Sequence, residues 1–304
     1  MLGRIPVNEM HPNAVTGGTG FVGQRVLALS VAPVRALTRT VQPTRSQVAW
    51  VRGDLADHAA LSRLCEGASA VIHIAGVVNA RDRAAFDAGN VAGTATVLAA
   101  ARDAGVRRFV HVSSLAAREP QLSDYGASKA AAEALVAASG LDWVTVRPPA
   151  VYGPGDREML ALFRLAAKGL AVAPNGRISI IHVDDLARAL LALAVDGPSR
   201  TVLEIDDGRA DGYSHAEFAR ALGAALVVPL PAMALGLGAS VAAAWARIGG
   251  GLPVLSRDRA RYIAHPDWVA RGGNAALAGV WAPQFDMAAG FADTMAGYRA
   301  KGWI

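Results

Sequence analysis

Thr16-Gly17-Gly18-Thr19-Gly20-Phe21-Val22-Gly23 decides how the rest of this chain is read. It follows the short apolar run Ala14-Val15-Thr16 and precedes a helix-prone segment, Phe21 to Val31. Gly17, Gly20 and Gly23 give G-x-x-G-x-x-G, and Gly18, Gly20 and Gly23 also satisfy G-x-G-x-x-G. Glycine at these steps permits a tight strand-to-helix turn, close approach of the backbone to a pyrophosphate, and close packing of helix on strand. A helix beginning at Phe21 aims its first N–H groups at the phosphates. Strand, glycine loop and helix in that order read as the floor of a dinucleotide site. Gly17, Thr19, Gly20, Phe21, Val22 and Gly23 are its candidate residues.

The same alternation continues outward. Strands are expected at Val34–Thr38, Val48–Arg52, Ala70–Ile74, Arg108–Val112 and Trp143–Val146, with helices through Leu61–Cys65, Val91–Ala104 and Ser128–Ser139. Near-continuous apolar strands separated by helices imply an α/β fold, a Rossmann-type doubly wound parallel sheet covered on both faces. After Arg147 the rhythm weakens, and Pro148-Pro149 and Pro154-Gly155 mark a loop. A helix over Glu158–Lys168, a strand over Ile178–His182, a helix opening at Val183-Asp184-Asp185 and a last core strand at Val202–Ile205 are expected next. The expected division is a Rossmann domain of residues 10–147 with 177–205, and a smaller, mostly helical substrate lobe of 148–176 with 206–304.

The end of the second strand bears on which dinucleotide binds. An acidic residue there would bond the ribose 2′-hydroxyl of NAD, but the chain has Thr38-Arg39-Thr40. Arg39 can pair with the 2′-phosphate of NADP, which makes NADP the expected cofactor and NAD the alternative.

A second constellation is Tyr125-Gly126-Ala127-Ser128-Lys129, closely preceded by Ser113-Ser114. Tyr125 and Lys129 share a face if the segment is helical. An ammonium near a phenol favours the phenolate, so the expected effect of Lys129 is to lower the Tyr125 pKa toward the range needed for acid–base work. A serine hydroxyl at the end of the fifth strand can hold a substrate oxygen while its charge changes.

The bulk properties agree. The chain has 304 residues, 53% of them hydrophobic, and a formal charge of +5. Its arginines are scattered, without a basic block or interleaved aromatics, which argues against nucleic acid and suits an anionic small ligand. Cys65 is the sole cysteine, so no intrachain disulfide forms; it reads as a core residue. The seven histidines lack metal-ligand spacing, so no metal is expected. Residues 1–13 have no long apolar run and read as a short extension, with Met10 a second candidate start. The longest uncharged stretch, Ala221 to Ala246, is divided by Pro229 and Pro231. It is expected to line or cover a cleft, compatible with weak membrane contact but not with a stable span. A cytoplasmic monomer or homodimer acting on a small molecule is the expectation.

These residues resemble the extended branch of the short-chain dehydrogenase/reductase superfamily, the NAD-dependent epimerase/dehydratase type, over most of the chain. Gly17, Gly20 and Gly23 fit its glycine motif. Gly53-Asp54-Leu55 resembles its adenine contact, with Asp54 accepting from the adenine amino group and Leu55 beside it. Ile74-Ala75-Gly76 looks like the element lining the cofactor, and Asn90-Val91-Ala92-Gly93-Thr94 matches its Asn-Val-x-Gly-Thr helix start. Arg147-Pro148-Pro149-Ala150-Val151-Tyr152-Gly153-Pro154-Gly155-Asp156 resembles the segment passing the nicotinamide, and His182-Val183-Asp184-Asp185 the hinge into the second lobe. The resemblance implies Ser114, Tyr125 and Lys129 as the catalytic trio, with Lys129 also on the nicotinamide ribose. It implies Ala75, Gly76, Ser113 and Pro148 as further cofactor contacts. Asp184 and Asp185 are read as helix caps, and His111 and His182 as structural. Asn90 is read as both tying elements together and helping the site. Two departures stand out: the helix after the glycine loop is short, and Ser114 and Tyr125 lack the long intervening loop of many sugar-nucleotide members. The uncharged Pro231–Ala246 run and the final Phe291–Trp303 helix are similar to members acting on bulky apolar alcohols and ketones, such as 3β-hydroxysteroid dehydrogenases and dihydroflavonol reductases.

The leading expectation is therefore an oxidoreductase passing hydride between NADP(H) and a carbonyl or alcohol of a small apolar substrate, with Tyr125 as acid/base. A nucleotide-sugar epimerase or dehydratase uses the same trio. A non-catalytic dinucleotide sensor or assembly subunit is the third alternative.

Overall fold

Strand after strand of β-branched and alanine residues builds one parallel sheet. The computed structural model describes residues 11–231 and 257–304. Its seven-stranded sheet contains β1 (Asn13–Thr16), β2 (Val34–Thr38), β3 (Val48–Arg52), β4 (Ala70–His73), β5 (Arg108–Val112), β6 (Asp142–Arg147) and β11 (Thr201–Glu204). Their spatial order is β11-β6-β5-β4-β1-β2-β3, every pair parallel. Chain order reverses between β1 and β4, so a crevice opens beyond their C-terminal ends, where doubly wound sheets bind ligands.

Side-chain alternation divides the core. Val15, Ile72, Val110 and Val144 pack with Val26 of α1 (Phe21–Leu29) and Leu190 of α7 (Val183–Val195). Val71 and Phe109 face the other way, against α2 (His58–Cys65), α4 (Gly93–Asp103) and α5 (Asp124–Ala137). Burial of a side chain such as Phe109 stabilises by about 1.5–3 kcal/mol. Cys65 is buried in that layer, and burial pushes its thiol up to about 11, the behaviour of an inert core residue. Asp184 joins the other layer together: Arg25 of α1 donates to both its carboxylate oxygens, at 2.5 and 2.7 Å. Asp185 is buried and accepts from the backbone N–H groups of Gln284 and Phe285. The N-cap of α7 is His182, so neither aspartate is the cap expected of it.

Several boundaries move for local reasons. The α1 helix stops at Leu29 because Ser30 turns outward and donates to the Ala32 carbonyl. The helix expected from Ser128 begins at Asp124, where the Ser123 hydroxyl accepts from Gly126 N–H at 3.0 Å. Before α4 the chain runs through a short helix α3 (Arg83–Phe86) and a π-helical turn, Asp87–Ala92. The strand expected over Ile178–His182 is broken at Ser179 into β9 (Arg177–Ile178) and β10 (Ile180–His182). Ser179 donates to Asp206 and accepts from Ala270 N–H, and the two halves join different sheets. After Arg147 short strands accompany the helices among the described residues. The strands include β7 (Ala150–Tyr152), paired with β10; β8 (Leu170–Pro174), paired with β13 (Leu226–Leu230); and β12 (Tyr213–Ser214) and β14 (Asp267–Trp268), both paired with β9. Helices α6 (Leu160–Ala166) and α8 (His215–Ala221) pack beside β8. Pro229 lies inside β13, whose single partner leaves it an edge where a missing N–H is tolerated. Thus the start of the uncharged stretch is a helix end and a strand; residues 232–246 lie outside the described residues. Among the described residues, no helix is long and apolar enough to cross a membrane.

Candidate active site

The glycine loop has the shape its sequence asks for. Gly17 adopts φ +75°, and Gly20 N–H closes the turn onto the Gly17 carbonyl at 3.0 Å. A Cβ on Gly23 would collide with the Gly17 carbonyl oxygen, so only glycine lets α1 sit this close to the turn. Gly20 caps α1 without a side chain, and Thr19 and Gly20 are exposed. The first-turn N–H groups therefore have no side-chain cap, which leaves a cradle suited to phosphate. Because the sheet is parallel, the loops after β2 and β3 come to the same edge. There Arg39 and Asp54 are exposed. Asp54 accepts from Ala56 N–H at 2.9 Å, and Leu55 is half-buried beneath it against Gly93. Ala75 stacks its backbone on Gly17. These residues hold no metal-like cluster and fit a dinucleotide.

Beyond β4 and β5 lies a cavity of about 190 Å³ bordered by Val22, Gly76, Asn90, Ser114, Tyr125 and Lys129, with Ser113 and Pro148 also on its wall. Gly126 explains how Tyr125 reaches Ser114. A Cβ there would stand 2.5 Å from the Ala116 carbonyl oxygen, so glycine lets α5 press against the 3-10 turn Leu115–Arg118. Ser114 caps that turn, accepting from Ala116 N–H at 3.2 Å, and Leu115 N–H reaches the Pro148 carbonyl. Phe86 packs its ring 6.0 Å from that of Tyr125.

The electrostatics differ from the expectation in one respect. Burial pushes the Tyr125 phenol above its ordinary value, and the adjacent Ser114 hydroxyl pulls it back. Lys129 is buried and donates to the Val112 carbonyl at 2.7 Å; burial brings its ammonium down to about 8, against the opposing charge of Glu133. The lowering of Tyr125 expected from Lys129 is therefore not present in this arrangement.

Ser113 also borders the cavity, and its hydroxyl donates to Glu133 Oε1 at 2.5 Å. Glu133 also receives Arg147 at 2.6 and 2.9 Å, and Arg147 and Arg118 both reach Glu204. This buried charge network braces the strand ends below Ser114, and no spacing in the sequence signalled it. Asn90 was the legible part of the scaffold. Its side chain accepts from Val77 N–H at 2.6 Å and donates to Val77 O and to Ser128 Oγ, tying the loop after β4 to α5. Beneath it, His73 bridges Thr16 (2.7 Å) and Thr94 (3.0 Å). Thr94 donates to the Asn90 carbonyl, so His73 Nε2 carries the hydrogen and Nδ1 accepts from Thr16. Burial holds His73 neutral, down at about 3. His111, as expected, is packed in the core, stacked on His73. His182 is likewise buried, stacked on Phe285.

A second, larger pocket of about 350 Å³ adjoins the first. Pro149 borders both, and Leu115, next in sequence to Ser114, lines the second. Its other walls include Met159, Leu165, Phe218, Leu222 and Trp268, an almost wholly apolar surface.

Fold and site together define a dinucleotide-dependent enzyme class. Residues 14–205 match the model of the NAD dependent epimerase/dehydratase family, and this chain belongs to that family. It is 39% identical over 308 residues to the ceramide reductase of Caulobacter vibrioides, covering 96% of this chain and 95% of that protein. It is 34% identical over 225 residues to the 4-hydroxy-2-methyl-3-oxo-4-farnesyl-3,4-dihydroquinoline-1-oxide ketoreductase of Stigmatella aurantiaca, covering 64% and 67% of the two chains. Among solved structures, MoeE5 in complex with UDP-glucuronic acid and NAD superposes with a TM-score of 0.69 at 24% identity, over 95% of this chain and 99% of that one, a likeness of fold.

Proposed function

We propose that this chain is an NADP-dependent oxidoreductase that interconverts a ketone and an alcohol on a substrate with a long apolar portion. The observation that carries the reading is the adjacency of the two pockets at Pro149. The small one brings together Ser114, Tyr125 and Lys129, and the large one next to it is apolar and shares Pro149. A nucleotide sugar would meet few polar partners in such a pocket, whereas an aliphatic or isoprenoid chain gains about 25 cal/mol for each Å² of apolar surface buried. The names of the two reductase relatives, with a ceramide and a farnesylated quinoline, support the same substrate class.

The cofactor would lie along the glycine loop, with its adenosine end toward Arg39, Asp54 and Leu55, and Gly76, Lys129 and Pro148 near the nicotinamide. When bound, it would supply hydride to the carbonyl carbon. Tyr125 donates the proton that the developing alkoxide needs, and Ser114 holds the oxygen while its charge changes. Lys129 is placed for the nicotinamide ribose. Arg39, exposed at the end of β2 with no acid beside it, favours the 2′-phosphate.

The test is NADPH oxidation followed by absorbance with 2-hexadecanone, set against UDP-glucose. Consumption of NADPH with the ketone supports the reading. Turnover of UDP-glucose, supplied in a parallel assay with NAD⁺ in place of NADPH and without net reduction of it, and none of the ketone, would replace it with the epimerase reading.

A further inference from the structure

The apolar pocket opens on an apolar surface. Leu162 of α6 and Val172 of β8 line that pocket and are also exposed, so they stand at its mouth. In the parallel register of β8 and β13, Val172 lies opposite Val228 and Leu170 opposite Leu226. Ala171 turns the other way, into a small core with Ala166, Ala219 and Ala224. Val228 and Leu226, the latter 60% exposed, therefore continue the rim outward without lining the pocket. Among the described residues, ten large hydrophobic side chains are exposed, and four of them (Leu162, Val172, Leu226 and Val228) fall on this one face. A single exposed valine is ordinary, whereas a contiguous apolar face marks a place of contact.

The charge around the face has one sign. Residues 159–183 and 218–231 contain no Asp or Glu. Lys168 and Arg220 are exposed, and among the described residues no ion pair engages either. Leu226 N–H donates to the Gly169 carbonyl at 2.8 Å, which sets Lys168 at the Leu226 end of the strand pair. Arg220 lies in the last turn of α8, which packs on both β8 and β13. The flanking acids are neutralised: Glu158 pairs with Arg259 and Glu217 with Arg209. An exposed apolar patch with unneutralised bases beside it is complementary to a bilayer surface with anionic headgroups, because the apolar side chains enter the acyl boundary while the cations meet phosphate. A further strand from another protein fits less well, since β13 carries Pro229, and proline on an edge strand disfavours strand addition.

We infer that the face built by Leu162, Val172, Leu226 and Val228, with Lys168 and Arg220 beside it, docks on an anionic lipid surface. Docked in this way, the mouth of the apolar pocket meets the acyl boundary, and a substrate chain passes between bilayer and pocket without crossing water. That passage rests on the proposed reductase reading; the docking itself does not.

The experiment is cosedimentation of the full chain with phosphatidylcholine vesicles, with and without phosphatidylglycerol, at low salt. Wild type should bind the phosphatidylglycerol vesicles, and bind phosphatidylcholine alone more weakly. Leu226→Glu/Val228→Glu and Lys168→Glu/Arg220→Glu should each weaken that binding roughly tenfold or more, with melting temperature nearly unchanged. Arg102→Glu/Arg107→Glu makes the same change in net charge at exposed positions around the end of α4, and should alter binding by less than about threefold. No vesicle binding by wild type, an equal loss in all three pairs, or a dimer formed through Leu226 and Val228 in place of vesicle binding would overturn the proposal. If the β13 pair melts early, the Lys168/Arg220 pair against the Arg102/Arg107 control decides. Binding is measured without cofactor or substrate, so a protein that binds the vesicles and reduces no ketone loses the reductase reading and keeps this one.

Discussion

Lys129 Nζ donates to the Val112 carbonyl oxygen at 2.7 Å, at the end of the strand that leads directly into Ser113 and Ser114. A buried ammonium is thus fixed to the backbone that presents the serine. Burial depresses it to about 8, the Glu133 charge opposing. An unfolded lysine titrates near ~10.4. Between those values the unfolded chain binds more protons, so this group's contribution to unfolding free energy rises with pH. Lys129→Met removes the titration. Wild type should gain stability relative to the variant as pH rises from about 8 toward ~10.4, with no relative change below about pH 7. Denaturant melts across that range check it; parallel pH profiles would contradict the buried ammonium.

The cofactor prediction rests on Arg39. NADPH should bind more tightly than NADH, and Arg39→Ala should erase most of the difference, roughly tenfold to a hundredfold for a charge-assisted contact of about 1.5–3 kcal/mol. Calorimetric titration with both dinucleotides measures it. Equal affinities in the unmodified protein would remove NADP from the account.

Gly23→Ala places a methyl group against the Gly17 carbonyl and within 2.7 Å of Gly18 Cα. Overpacking of this kind costs about 1–3 kcal/mol. The variant should melt at a lower temperature and lose dinucleotide binding together. A variant with normal melting and normal NADPH affinity would mean that α1 does not approach the loop as described.

Val172 is 42% exposed at the rim of the apolar pocket. Val172→Trp should narrow the entrance without touching the core. Its KM should rise severalfold for a sixteen-carbon ketone and stay unchanged for a four-carbon one. An equal change for both would place the chain elsewhere.

The sheet was legible because each core strand is a short apolar run ending at a turn signal; Val34–Thr38, Val48–Arg52 and Arg108–Val112 read directly. The glycine loop was legible because steric demand restricts those positions to one residue type. What stayed hidden depends on distant partners. Ser113 lies on the cavity wall, but its hydroxyl bond to Glu133, on the next helix, had no signal in the sequence. Asp184 looked like a cap, but Arg25 lies 159 positions away in sequence. Tyr262 is one aromatic residue in a polar helix, and only the packing of Trp268 and Arg118 puts it at the pocket. Strands β8 and β13 are as long as the core strands β2 and β3, but each carries a proline, Pro174 and Pro229, which reads against a strand.

The account turns on Tyr125 as the proton donor, and Tyr125→Phe tests it most directly. The substitution keeps the ring against Phe86 and removes the exchangeable proton. With NADPH affinity measured separately, turnover of one ketone substrate should fall by ~10²–10⁴ while cofactor binding and melting temperature stay nearly unchanged. Near-full turnover in the phenylalanine variant would contradict the mechanism, even with the fold intact.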